Sequence, residues 1–197
     1  MTASTTRCCR SLNLLGALLA IWLSAAFALP AQAQGIEVRK ASFTAGEDYY
    51  VLEAQFDIAL THTLDEVLNK GVPLYFALEF ELIRPRWYWF NERVIHLNLQ
   101  YRLSYNALTR QYRVGVGNLH QSFGSLAEAF EVMSRVRRRQ EIEPGTLRRE
   151  TYLAGVRLRL DTSQLPKPFQ LNALGSREWY VGSDWFRWTV TPRDMQP

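Results

Sequence analysis

The chain is poor in the residues that most often carry chemistry. Its two cysteines, Cys8 and Cys9, both precede an uncharged apolar run. Everything after that run has no disulfide, no thiol nucleophile and no cysteine metal ligand, and must be held by its core alone. The three histidines, His62, His96 and His120, are scattered. A zinc site draws three or four ligands from tight clusters, so neither a metal nor another cofactor is expected. There is no Gly-x-Ser-x-Gly nucleophile elbow and no phosphate-cradling Walker loop, and Gly115-Val116-Gly117 lacks the third glycine of a dinucleotide fingerprint. Lysine is limited to Lys40, Lys70 and Lys167. The other basic side chains are arginines, which suit planar, bidentate and stacked contacts.

What is present begins with a leader pattern. Arg7 and Arg10 form a positive n-region, Leu12 to Leu29 is uncharged and rich in Leu, Ala, Ile, Trp and Phe, and Pro30 closes it. Ala31-Gln32-Ala33 places small residues where a signal peptidase reads, so cleavage is expected before Gln34. The alternative is an uncleaved inner-membrane anchor, for which the apolar run is at the short end of the ~20 residues a span needs. The expected organisation is a signal peptide over 1–33 and one periplasmic domain over 34–197. Loss of Arg7 and Arg10 lowers the net charge from +4 to +2, too little to argue for nucleic acid.

Period-two alternation of apolar and polar residues then recurs, the pattern of half-buried strands. It runs through Tyr50–Leu60, Leu74–Leu82, Ile95–Leu103 and Tyr152–Leu160, and shorter strands fit about 36–45, 110–117 and 184–191. One wet face per strand favours antiparallel pairing. Glu53, Asp57, Glu79 and Glu81 on earlier strands face Arg102, Arg157 and Arg159 on later ones, a charge match that would set register. Thr63-Leu64-Asp65-Glu66 and Ser125-Leu126-Ala127-Glu128 are capping-box patterns opening two helices. The second helix is expected to bury Leu126, Ala129, Phe130, Met133 and Val136 and to carry Arg135–Arg139 at its C-terminal end, where the macrodipole favours cations. Leu165-Pro166-Lys167-Pro168 reads as an extended connector. These signals predict a mainly β fold, an antiparallel β-sandwich of about seven strands with two short covering helices.

Two groups of residues invite a functional reading. Glu79 and Glu81 share a strand face with Cβ atoms about 7 Å apart by strand rise, within the range of the carboxylate pairs of glycoside hydrolases. Ion pairing with arginine explains them as well. Arg84, Arg86, Trp87, Tyr88, Trp89, Phe90 and Arg93 place four consecutive aromatics among arginines between two long strands. At a hairpin tip these residues would anchor a partner protein or enter a membrane interface. Alternation of the tryptophans into the core is the structural alternative. The basic residues between Arg135 and Arg149 would also suit an anionic membrane surface, diluted by Glu141, Glu143 and Glu150.

Several segments together resemble a known family. They are Gly71-Val72-Pro73-Leu74, Arg86-Trp87-Tyr88-Trp89, Tyr101-Arg102-Leu103-Ser104-Tyr105, Arg110-Gln111-Tyr112, Ser125-Leu126-Ala127-Glu128-Ala129 and the stretch Leu160 to Pro168. The set is similar to the proteobacterial exported domain of unknown function called "forty-three ninety", also labelled a proline-rich signal-peptide protein. The resemblance implies an exported or membrane-anchored domain with no catalytic residues to carry over. It also implies gene neighbourhood with an envelope-facing sensor kinase. The expected function is therefore a non-enzymatic envelope domain that binds a partner protein or membrane surface, possible kinase accessory included, with an envelope glycan hydrolase using Glu79 and Glu81 as the alternative.

Overall fold

The computed structural model describes residues 35–86, 88 and 91–194. The leader and its cleavage point, Ala31, Ala33 and Gln34, lie outside the described residues, as do Trp87, Trp89 and Phe90 of the aromatic segment. Among the described residues nine strands form two antiparallel sheets. Strands β1 (Gly35–Ala45), β2 (Tyr49–Ala59) and β7 (Arg135–Glu141) make the smaller one, in the order β1-β2-β7. The larger contains β3 (Leu74–Arg84), β4 (Glu92–Asn106), β5 (Gln111–Val116), β6 (Leu119–Phe123), β8 (Tyr152–Leu160) and β9 (Phe186–Val190), in the order β6-β5-β4-β3-β8-β9. The α-helices among the described residues are α1 (His62–Asn69), α2 (Leu126–Ser134) and α3 (Lys167–Gly175). Among the described residues no helix is long and apolar enough to cross a membrane.

The core lies between the sheets, as in a sandwich. Phe43 of β1 and Tyr50 of β2 stack on Phe80 of β3 at ring-centroid distances of 5.6 and 6.1 Å. Leu52, Phe56, Leu74, Phe76, Leu78, Leu82, Leu103, Val156 and Leu158 complete a fully buried interior. These are the apolar members of the alternating runs, so the period-two pattern delivers the sandwich directly.

The differences from expectation each have a local cause. Helix α2 begins where the capping box puts it, with Ser125 Oγ accepting from the Glu128 N–H at 3.2 Å and Gly124 N–H donating to the Glu128 carboxylate at 3.2 Å. It stops at Ser134, however, and Arg135–Glu141 is a strand without an intervening turn. The exposed edge of β2 competes with continuation of the helix. Pairing Glu53 with Arg137 and Ala54 with Val136 satisfies that edge and still buries Val136. The arginines thus alternate across a strand instead of crowding a helix end. Strand β6, Leu119–Phe123, exposes four of its five residues and so carries no apolar alternation to read. His120 lies in it. Helix α1 is capped by Thr61, two residues before the anticipated position, because Thr63 Oγ is engaged by Glu178 at 2.6 Å. Lys167–Gly175 is helical where an extended connector was expected: Pro168 falls in the first turn, where proline's fixed φ and missing N–H cost nothing.

Candidate functional site

Three arginine-bearing regions lie on the six-stranded sheet, and they differ in what the guanidinium groups touch. The first is the seam between β3 and β8. Glu79 was expected on a water-washed face, but only 8 % of it is exposed, and only 6 % of Glu81. Long arginine side chains roof that face with their methylene stems. Arg157 donates from Nε to one Glu79 oxygen at 2.7 Å, with its Nη2 2.5 Å from the same oxygen, and Arg159 donates from Nε to the other at 2.8 Å, with its Nη2 also at 2.8 Å. Burial pushes the Glu79 carboxyl up, but these hydrogen bonds and charges outweigh it and hold the group below the ordinary carboxylate range. One guanidinium thus lies against each oxygen of the carboxylate. Glu81 stands 3.6 Å from both Arg93 and Arg187. Trp185 closes the seam, with the Arg157 guanidinium 4.5 Å and that of Arg187 5.6 Å from its ring centroid. A Cβ added at Gly155 would stand 3.2 Å from the Trp185 ring, so the glycine makes room for the indole.

The second region is the β3–β4 connection, residues 85–91, which joins the paired ends Arg84 and Glu92. Its flanking arginines are tied down. Arg84 donates to Glu92 at 3.0 Å and to the Tyr152 hydroxyl at 3.2 Å, and its Nε lies 3.1 Å from Glu150. Arg86 pairs with Glu92, and its N–H donates to Asn91 Oδ1 at 3.3 Å. Arg93 faces Glu81. Between them Tyr88 is 66 % exposed. The site residues named from sequence thus divide: Arg84, Arg86 and Arg93 brace the hairpin, and Tyr88 is the described aromatic at its tip.

The third region escaped the sequence reading. A groove of about 690 Å³ lies over β4, β5 and β6. Arg102 of β4 is opposite Gly115 of β5, which is opposite His120 of β6, so these three occupy one row across the sheet. Arg113 follows two residues before Gly115, on the same face. Arg102 was expected to help match the carboxylates of the earlier strands. It instead lies with its guanidinium 5.9 Å from the Tyr75 ring centroid, and among the described residues no ion pair is formed by it or by Arg113. The one legible hint was composition: arginine without nearby acid over Tyr101–Val116, interrupted by Gly115.

His62, His96 and His120 lie on α1, β4 and β6, and among the described residues no group of three potential ligands could hold a metal ion. No curated protein and no solved structure matches the chain. A family model does match, over residues 33–189, which takes in both sheets and all three regions just described. The chain therefore belongs to the family described as Domain of unknown function (DUF4390).

Proposed function

We propose that the protein is a non-enzymatic domain of the cell envelope that docks a partner protein through the tip of its β3–β4 hairpin. The observation that carries this reading is the exposure of Tyr88 on a connection whose two shoulders are fixed by ion pairs. An exposed aromatic on a pre-organised frame loses little conformational freedom on binding. The flanking arginines already face carboxylates, which leaves little net charge to draw the tip to an anionic membrane and favours a protein partner. The gene neighbourhood implied by family resemblance makes an envelope sensor kinase the first partner to try.

The glycan-hydrolase alternative receives less support. A general acid needs a raised pKa, whereas Glu79 is depressed by two arginines, and neither Glu79 nor Glu81 lines the groove. A photo-crosslinking amino acid at position 88, activated in intact cells, tests the proposal. The expected result is a discrete protein adduct, lost when Trp87 and Trp89 are both changed to Ser in a protein with an unchanged unfolding transition. Adducts to lipid alone, or crosslinking insensitive to those changes, would refute it, and unaltered kinase output in a deletion strain would remove the kinase as partner.

A further inference from the structure

The groove over β4, β5 and β6 asks for an explanation that the hairpin tip does not supply. On this sheet Arg84, Arg93, Arg157, Arg159 and Arg187 each reach a carboxylate. Arg102 and Arg113 do not, and both line the groove. Arg138 of β7 borders the groove from the opposite side of β4, since it pairs with buried Leu52 and lies against Tyr101, whose side chain is on the face opposite Arg102. No carboxylate lines the groove among the described residues. Like charges left together without a counter-ion cost stability, so their gathering here is not accounted for by folding.

The floor is equally unusual. Gly115 sits in the middle of β5 with a backbone that any residue could adopt, since its φ is not among the positive ones. A Cβ there would meet only Leu119 O at 3.6 Å and Arg102 at 3.9 Å, both ordinary contacts. Neither conformation nor packing requires glycine, and glycine in a strand interior costs about 0.5–1 kcal/mol relative to alanine. What its bare Cα does provide is a depression between the side chains of Arg102 and His120. Gly155, by contrast, is explained by Trp185.

We propose that this groove binds a phosphate-bearing ligand, held by Arg102 and Arg113 above the bare strand at Gly115. Arginine forks suit both carboxylate and phosphate. A carboxylate offers its acceptor positions in one plane, while the tetrahedral oxygens of a phosphate accept from several directions at once. Arg102 and Arg113, on one face of neighbouring strands with a bare Cα beside them, fit the second geometry. Asn98, Gln100 and Ser104 along the walls add uncharged donors for the ester portion of the ligand, and Tyr75 positions Arg102 from the side.

The test uses the full domain and two sources of the same chemistry: sn-glycerol 3-phosphate in solution, followed by calorimetry, and vesicles of phosphatidylglycerol in phosphatidylcholine, followed by sedimentation. Two variants are compared with the parent. Arg102→Gln/Arg113→Gln removes charge, and Gly115→Leu fills the floor without touching any charge. Saturable binding to one of the probes, weakened at least tenfold by both variants while their unfolding transitions stay in place, is the expected result. Binding to the soluble ester alone assigns a free phosphate ester as ligand, and binding to vesicles alone assigns a lipid headgroup. Absence of saturable binding to either probe, equal affinity of the parent for citrate, or full binding by Gly115→Leu would overturn the proposal.

Discussion

Two stretches of one sheet face show how little the presence of arginine says until its neighbours are known. Along β3 and β8, Arg157 and Arg159 close on Glu79, and Trp185 covers the join. Along β4 and β5, Arg102 and Arg113 stand beside a bare glycine, and among the described residues no carboxylate lines their groove. The residue type and the supporting backbone are the same. The difference is that the first set has spent its hydrogen-bonding capacity inside the protein and the second has not. Charge that is internally satisfied holds strands in register; charge left open is available to a ligand.

That contrast predicts unequal costs for removing charge. Glu79→Gln leaves two guanidinium groups over a nearly buried amide that offers one acceptor oxygen in place of two. The loss should be roughly 2 kcal/mol, below the 3–5 kcal/mol of a fully buried pair. The reduction reflects screening by water, since Arg157 and Arg159 are 31 % and 42 % exposed. Arg102→Gln and Arg113→Gln should each stay within about 0.5 kcal/mol. Denaturant midpoints measured side by side decide it, and equal losses at both places would erase the distinction between seam and groove.

The seam should also show in acid. Glu79 binds its proton less readily in the folded protein than in the unfolded chain, so protonation favours unfolding. Its contribution is complete above the ordinary glutamate value of about 4.3 and is lost as pH falls through the depressed native value. A stability profile between pH 6 and 2 should therefore fall less steeply in Glu79→Gln than in the parent. Asp194, held below its usual range by hydrogen bonds from Thr191, keeps a residual slope in both. Parallel profiles would mean that Glu79 is not the titrating group.

The sandwich was legible because Leu74–Leu82, Ile95–Leu103 and Tyr152–Leu160 are long enough for a period of two to stand out, and because their apolar members alone can fill a core. The charge complement between Glu79 and Arg157/Arg159 was legible for the same reason, since both ends lie on readable strands. What stayed hidden was structure fixed by partners distant in sequence. Arg135–Glu141 follows a helix directly and carries helix-compatible residues; only the open edge of β2 makes it a strand. Leu119–Phe123 has no buried face to betray it. Without those two strands placed, nothing could bring His120 into the row of Arg102 or Arg138 to the groove's rim, so the groove had no sequence signature beyond an arginine-rich stretch. The hairpin tip, by contrast, was visible as a cluster, but the bracing role of Arg84 depends on Tyr152 and Glu150, far along the chain.

The two glycines sharpen the comparison at a smaller scale. Alanine at Gly115 meets only ordinary contacts and should raise stability by about 0.5 kcal/mol through the lost flexibility of the unfolded chain. At Gly155 the same change brings a methyl group to 3.2 Å from the Trp185 ring. The entropic gain should be cancelled, and tryptophan fluorescence should shift as the indole is displaced from between Arg157 and Arg187. Equal gains at both positions would show that Trp185 yields freely and that the seam is looser than its contacts indicate.

Salt should produce the smallest effect and the most direct reading of the difference. Between about 10 and 150 mM ionic strength the screening length falls from about 30 to about 8 Å. Screening relieves repulsion between Arg102 and Arg113 and weakens attraction at exposed pairs, so the two regions push the parent's stability in opposite directions. Arg102→Gln/Arg113→Gln deletes the first contribution and leaves the second. The variant should therefore lose stability on adding chloride relative to the parent, by no more than about 0.5 kcal/mol. With phosphate in place of chloride the gap should widen, because a bound anion stabilises the folded parent in proportion to its occupancy and the variant has surrendered the guanidinium groups that would hold it. A parent and variant that respond identically to chloride and to phosphate would mean that the groove's charge is already neutralised from within, and the two faces of the comparison would then be one.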